Sequence, residues 1–187
     1  QADVHPEGNP HFMLDPIRAA EAGEHLAEKL GAIDHDHKAL YLANSKKFSA
    51  EINLKMKAWQ NRLGLAANAE KSVEKLAAKN RKVITYHKTL NYFFARFGVQ
   101  NRGYLEPKPG IPPTVQHILE VLDIMKKEKI NLVLIENYFD SKVGEKITTE
   151  LATAKVFSVP VSVDGEPQIK NLFDLYEKLV TILEKNS

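Results

Sequence analysis

The clearest pattern along the chain is one long apolar stripe. Tyr41, Phe48, Ile52, Met56, Trp59 and Leu63 follow at spacings of seven, four, four, three and four, the repeat of one face of an α-helix. Asp34 is a candidate cap at its start and Gly64 a candidate stop. A helix of about 28 residues is roughly 42 Å long at 1.5 Å per residue. That exceeds what one small lobe needs. The stripe alone is compatible with a helix in a bundle. A shorter helix precedes it over about residues 15–30, with Leu26 and Leu30 four apart and Gly31 as its stop.

After an Ala- and Lys-rich stretch at about residues 65–81, read as a short helix or a linker, the pattern changes to regular alternation. Strands are predicted at Lys82–Tyr86, near Asn101–Glu106, at Asn131–Glu136 and from Lys155 to about Pro160. A helix follows each strand. The first runs from His87 or Lys88 to Phe97 and stops at Gly98. The second carries Val115, Ile118, Leu119, Leu122 and Met125 on one apolar face, after the Pro/Gly-rich loop Pro107–Pro113. The third spans about Ser141–Ala152, and the fourth about Gln168–Glu184 with Leu172, Leu175, Leu179 and Ile182 in register. Leu132-Val133-Leu134-Ile135 is continuously apolar, as a strand buried on both faces should be. The alternation predicts an α/β fold, a four-stranded parallel doubly wound sheet with right-handed crossovers. Such sheets bind ligands in loops at the carboxyl ends of their strands, where His87, Glu136 and Asp164 all fall.

Composition narrows the function classes. Of 187 residues, 43% are hydrophobic, enough for a packed core, and 26 basic against 24 acidic residues leave a net charge of +2. That near balance argues against a nucleic-acid surface. The basic pairs Lys46-Lys47 and Lys126-Lys127 sit in helical patterns, as solvated faces. There is no cysteine, which excludes thiolate metal sites, disulfides and thiol catalysis. No apolar run approaches the roughly 18 residues of a membrane span. No signal peptide is visible. Phosphate-binding glycine patterns, G-x-S-x-G and H-E-x-x-H are missing, which lowers the case for an enzyme.

Candidate chemistry begins at Asn9-Pro10-His11-Phe12-Met13-Leu14-Asp15-Pro16. Asp15 can cap the first helix, and Pro16 suits its first position. Pro10 biases Asn9 toward an extended conformation. His11 is thus held by backbone on both sides, as a metal-binding or catalytic imidazole must be. The same spacing also describes a loop histidine beside an ordinary cap. His87, between strand and helix, fits a cap or a surface histidine as well as a ligand. Asp164, before Gly165, is also an ordinary turn residue. His35 and His37 flank Asp36 as solvated capping residues, His25 and His117 lie in helical patterns, and Tyr92, Phe93 and Phe94 read as core.

The octet at 9–16 resembles the PH-x-W-L-D-P signature of the cluster A-I solute-binding proteins, the zinc and manganese receptors of bacterial ABC importers. Tyr86-His87 with Tyr92-Phe93, and then Ile135-Glu136, follow in the family's order, and the resemblance covers essentially the whole chain. Met13 stands where the family usually has Trp. The resemblance implies that His11 and His87 are metal ligands and that Asp164 supplies the carboxylate, although Val161-Ser162-Val163 departs from the usual motif. It makes Glu136 a reserve oxygen ligand or a group that orients a histidine. The remaining ligand, another histidine, would lie in a lobe that precedes this chain; His5 and Glu7 belong to a polar connecting loop. A histidine at position 87 favours zinc over manganese, because an oxygen-richer set suits Mn²⁺.

On this resemblance, residues 1–34 are the end of an N-terminal lobe, 35–64 a long interlobe backbone helix and 65–187 the C-terminal lobe. The resemblance implies that the N-terminal lobe itself is absent from this chain. Part of the long stripe then awaits that lobe, present as a separate fragment or replaced by self-association. The implied protein is not an enzyme. It sits in the periplasm, or on the extracellular face as a lipoprotein, and hands Zn²⁺ to a membrane permease. The alternatives are a manganese receptor of the same family, a small-molecule α/β enzyme using His87 and Glu136 as acid and base, and a surface adhesin.

Overall fold

Among the described residues, four short strands form one parallel sheet: β1 (Lys82–Thr85), β2 (Gln100–Tyr104), β3 (Leu132–Glu136) and β4 (Lys155–Val159), in the order β2-β1-β3-β4. The computed structural model describes residues 8–65 and 81–186. The segment read as a short helix or linker, and His5 and Glu7, fall outside the described residues. β3 is buried along its whole length, as its unbroken apolar run requires. Alternate side chains feed two cores. Val83, Leu132 and Leu134 face one, together with helices α3 (Asn91–Arg96) and α6 (Leu172–Lys185). Ile84, Val133 and Ile135 face the other, covered by α4 (Val115–Glu128) and α5 (Lys142–Glu150). The sheet is therefore doubly wound. From β1 the chain goes outward to β2, then crosses back to β3. The switch point, where such sheets open a binding crevice, lies between β1 and β3.

Local signals set the boundaries. Gly64 and Gly98 take left-handed conformations (φ 65° and 63°) just past two helix ends. Thr114 and Asn171 cap α4 and α6 by accepting the N–H groups of His117 and Asp174. The helix expected from His87 starts later, at Asn91, and the residues between form a turn. On α4 the line Ile118–Leu122–Met125, with Val121, faces the sheet. Val115 and Leu119, predicted on the same face, flank that line and are exposed.

Among the described residues, two α-helices precede the sheet and pair as a hairpin, α1 (Pro16–Ile33) and α2 (Lys38–Arg62). Here the apolar spacing misleads. α1 buries its small residues Ala19, Ala20, Ala27 and Gly31, and leaves Leu26 and Leu30 58% and 37% exposed. Gly31 is not a stop. A side chain there would meet Lys38 Cγ at 2.6 Å, so the glycine lets the start of α2 pass close by. Asp34 bridges the connection, accepting from the Tyr41 hydroxyl at 2.8 Å and from the backbone N–H of His37 at 3.3 Å. Along α2, Ile52, Met56, Trp59 and Leu63 are each 5% exposed or less and join the core against α6. Trp59 packs edge-on to Tyr176 and donates to Glu177 Oε2 at 2.8 Å. That part of the stripe needs no cover from another lobe.

Candidate metal centre

The end of β1 meets the end of β3 at the switch point. Tyr86 extends the pairing by donating its N–H to Leu134 O at 3.1 Å, and His87 follows. The His87 N–H points at both carboxyl oxygens of Glu136, each at 3.3 Å. Glu136 ends β3 and is fully buried. Burial pushes its carboxyl up to about 7, against hydrogen bonds from the Thr89 hydroxyl and from backbone N–H groups that favour the charged form. The Thr85 hydroxyl donates to the His87 carbonyl at 2.8 Å. The backbone that carries His87 is therefore fixed on both sides.

His11 arrives from the opposite direction, on a 3₁₀ turn (His11–Leu14) ahead of α1. The Asn9 side chain accepts the His11 N–H at 2.9 Å and donates to Lys88 O at 2.9 Å. It ties the His11 segment to the residue after His87. Asp15 caps α1 by accepting the Ile17 N–H, and both its oxygens take the Arg96 guanidinium of α3 at 2.9 Å. Leu14 is buried, and the Tyr176 hydroxyl donates to Met13 O at 2.6 Å. These ties bring the two imidazoles edge to face, with ring centroids 5.9 Å apart. Phe139, stacked on Tyr86, lies 6.3 Å from the His87 ring and walls one side.

One neighbour was not singled out in the sequence. Glu106, in the loop after β2, is 6% exposed, and its Oε1 meets His87 Nδ1. Its other oxygen accepts the Gly110 N–H at 3.2 Å. The signal was present, because the second predicted strand ended at this residue. The carboxyl-end rule that selected Glu136 would have selected Glu106 too.

Asp164 is placed differently. It sits in a turn with a left-handed backbone (φ 60°), its side chain is 71% exposed, and Lys170 Nζ binds it at 3.0 Å. Its loop is tied to the end of β3, where Asn137 donates to Gly165 O. The other described histidines lie apart from the pair: His25 is exposed on α1, His35 and His37 on the hairpin connection, and His117 bonds Tyr104 O. Among the described residues, no three His, Asp or Glu side chains converge as a ready metal cage. The described arrangement is two imidazoles backed by two buried carboxylates. Imidazole and carboxylate together suit a borderline divalent ion such as Zn²⁺.

With this geometry in hand, comparisons with known proteins add the lineage. The chain is 22% identical over 182 residues to the zinc-binding lipoprotein AdcA of Streptococcus pneumoniae serotype 4, covering 97% of this chain and 33% of that protein. It is 24% identical over 170 residues to the high-affinity zinc uptake system protein ZnuA of Brucella abortus, covering 91% of this chain and 46% of that protein. The chain thus spans a third to a half of these relatives' length. In fold it is similar to the laminin-binding protein Lmb of Streptococcus agalactiae, described as bifunctional with adhesin and metal transporting activity. The TM-score is 0.79 at 20% identity, over 100% of this chain and 67% of that one. The zinc-bound E280Q variant of AdcAII from S. pneumoniae gives 0.75 at 25% identity, over 99% and 64%. The family model for ZnuA, zinc-uptake complex component A, periplasmic, matches residues 1–186, and the chain belongs to that family.

Proposed function

We propose that this chain forms part of a receptor that binds Zn²⁺ outside the cytoplasm and delivers it to the permease of an ABC importer. The observation that carries the reading is the meeting of His11 and His87 at the switch point of the sheet, 5.9 Å between ring centroids. Neutral imidazole nitrogens from these two residues bind the ion. Asp164 adds anionic oxygen after leaving Lys170, and Glu136 supports the backbone of His87 rather than the ion. A transport zinc site takes four protein groups, or three and water, so the ligand set extends beyond the two imidazoles. Mn²⁺ is the competing cargo, held less well by a set with two imidazoles. The protein works by holding and releasing the ion, without catalysis. We assign residues 35–64 as the backbone helix and 65–187 as the sheet-bearing lobe.

Calorimetry with zinc alone tests this. His11→Ala and His87→Ala should each weaken binding by more than about 100-fold, beyond the loss typical of an outer-shell change. Asp164→Ala should cost less. Because bound imidazole must be neutral, affinity should fall as pH drops below about 6.5. Unchanged zinc binding in both histidine variants would remove the site.

A further inference from the structure

Resting on the metal site proposed above, we propose that Glu106 is a positioning residue for His87. It holds the imidazole in the tautomer with its proton on Nδ1 and its lone pair on Nε2, the nitrogen that takes the ion.

A neutral imidazole carries one N–H, and the group at one ring nitrogen decides which nitrogen that is. A carboxylate can only accept, so Glu106 Oε1 at His87 Nδ1 draws the proton there. The lone pair is then on Nε2. Metal-binding histidines are commonly set this way, by a carboxylate or carbonyl on the far nitrogen, which fixes the ring and raises its basicity.

The surroundings are built to hold Glu106. The N–H groups of Leu105 and Glu106 donate to Thr85 O and Tyr86 O at 2.8 and 3.2 Å, extending the β1–β2 pairing to the residue beside His87. The loop beyond turns back at Gly110, whose φ of 76° suits glycine, and a bridge joins Lys108 to Ile111. That turn brings the Gly110 N–H onto Glu106 Oε2 at 3.2 Å. Each oxygen is thus engaged, one by the ring and one by the loop. At 6% exposure the contact is weakly screened by water, which strengthens it. The two buried carboxylates divide the work: Glu136 fixes the backbone of His87 and Glu106 fixes its ring.

The test starts with the unaltered full chain, metal-free and labelled with nitrogen-15 at histidine. Long-range proton–nitrogen correlation spectra report which nitrogen of His87 is protonated. The expected result is Nδ1–H, changing toward Nε2–H in Glu106→Ala. With zinc alone as the probe, competition titration should show a loss of about 10–100-fold in Glu106→Ala. Glu106→Gln, whose amide oxygen still accepts from Nδ1, should recover part of that loss. An Nε2–H tautomer in the unaltered chain, or undiminished zinc affinity in Glu106→Ala, overturns the proposal. So does loss of an oxygen neighbour from the zinc X-ray absorption spectrum in Glu106→Gln, which would make Glu106 a ligand. If Glu106→Ala does not fold, the tautomer in the unaltered chain decides alone. Failure of the underlying site shows separately, as zinc binding that survives His11→Ala and His87→Ala whatever the tautomer.

Discussion

The two halves of α2 carry one apolar repeat and meet different surroundings. In the second half, Ile52, Met56 and Trp59 are sealed against α6 and the sheet's first core. The first half runs along α1, where cover comes from a line of small residues. Gly23 is one of them, and a methyl there would lie 3.6 Å from the Phe48 ring. Meanwhile Leu26, Leu30, Ile33 and Leu40 at the hairpin's far end stay 37–84% exposed. On α2 the periodicity marks the side that turns inward. How deeply that side is buried depends on the partner, and close helix packing favours a partner with almost no side chains.

The largest expected effect sharpens this contrast. Trp59→Ala opens a cavity in the sealed half and leaves Glu177 without its indole donor, so it should cost about 3–5 kcal/mol in urea unfolding. Leu30→Ala, at the exposed end, should change stability by no more than about 0.5 kcal/mol. Equal losses would mean the hairpin's outer face is covered in solution and the comparison fails.

A middle-sized effect belongs to the joint between hairpin and sheet. Arg96→Ala leaves the carboxylate of Asp15, 3% exposed, to the Ile17 N–H and to the more distant Arg18 guanidinium, with Nε at 3.7 Å. Breaking a fully buried pair costs about 3–5 kcal/mol. The Arg96 side chain is 27% exposed and partly screened by water, so the expected loss is about 2 kcal/mol. Thermal unfolding checks it, with Asp15→Asn as a partner for a double-mutant cycle. No coupling between the two would show that the joint is held by packing alone.

The smallest effect compares two surface carboxyls, one on each region. At the end of α4, beside the sheet, Glu128 is held down at about 2 by Arg102 first and Lys82 second. At the hairpin connection, Asp34 is lowered by the Tyr41 hydroxyl first and His37 second. A carboxyl with a depressed folded value adds stability above its unfolded value and loses it as pH falls through the folded one. Glu128's contribution is therefore in place above about pH 4.5 and fades toward pH 2. Carbon-13 titration should find its midpoint near 2 and Arg102→Ala should move it upward. A midpoint at the ordinary glutamate value would dissolve the Lys82–Glu128–Arg102 link.

The sheet was legible because its signals are local and strong. An unbroken Leu132–Ile135 run has one use in an α/β chain, and Gly98 stops its helix as read. The inward face of α1 was not legible, since alanine and glycine carry no hydrophobic signal until a close neighbour is known. Near the imidazoles, His11 and His87 were marked by their positions at element boundaries, and the fold brings them together. Glu106 lay within reach of the carboxyl-end rule, but its pairing with His87 needed the strand order. Only when β2 lies beside β1 does the loop after β2 reach the ring of His87.

The stretch from Asn9 to Asp15 also works as a ruler. Asn9 grips Lys88, His11 presents its ring, Met13 offers its carbonyl to Tyr176, and Asp15 receives Arg96. Each mark engages a different part of the fold, so the spacing between marks is under tighter constraint than most of the side chains. One added residue can lengthen the chain by roughly 3.3–3.6 Å, more than a zinc–nitrogen bond of about 2.0–2.1 Å. At position 13 the ruler uses backbone, which any residue supplies, and the side chain is 39% exposed. The exchange of Trp for Met there alters lettering between the marks. An insertion of a single residue would shift the scale itself.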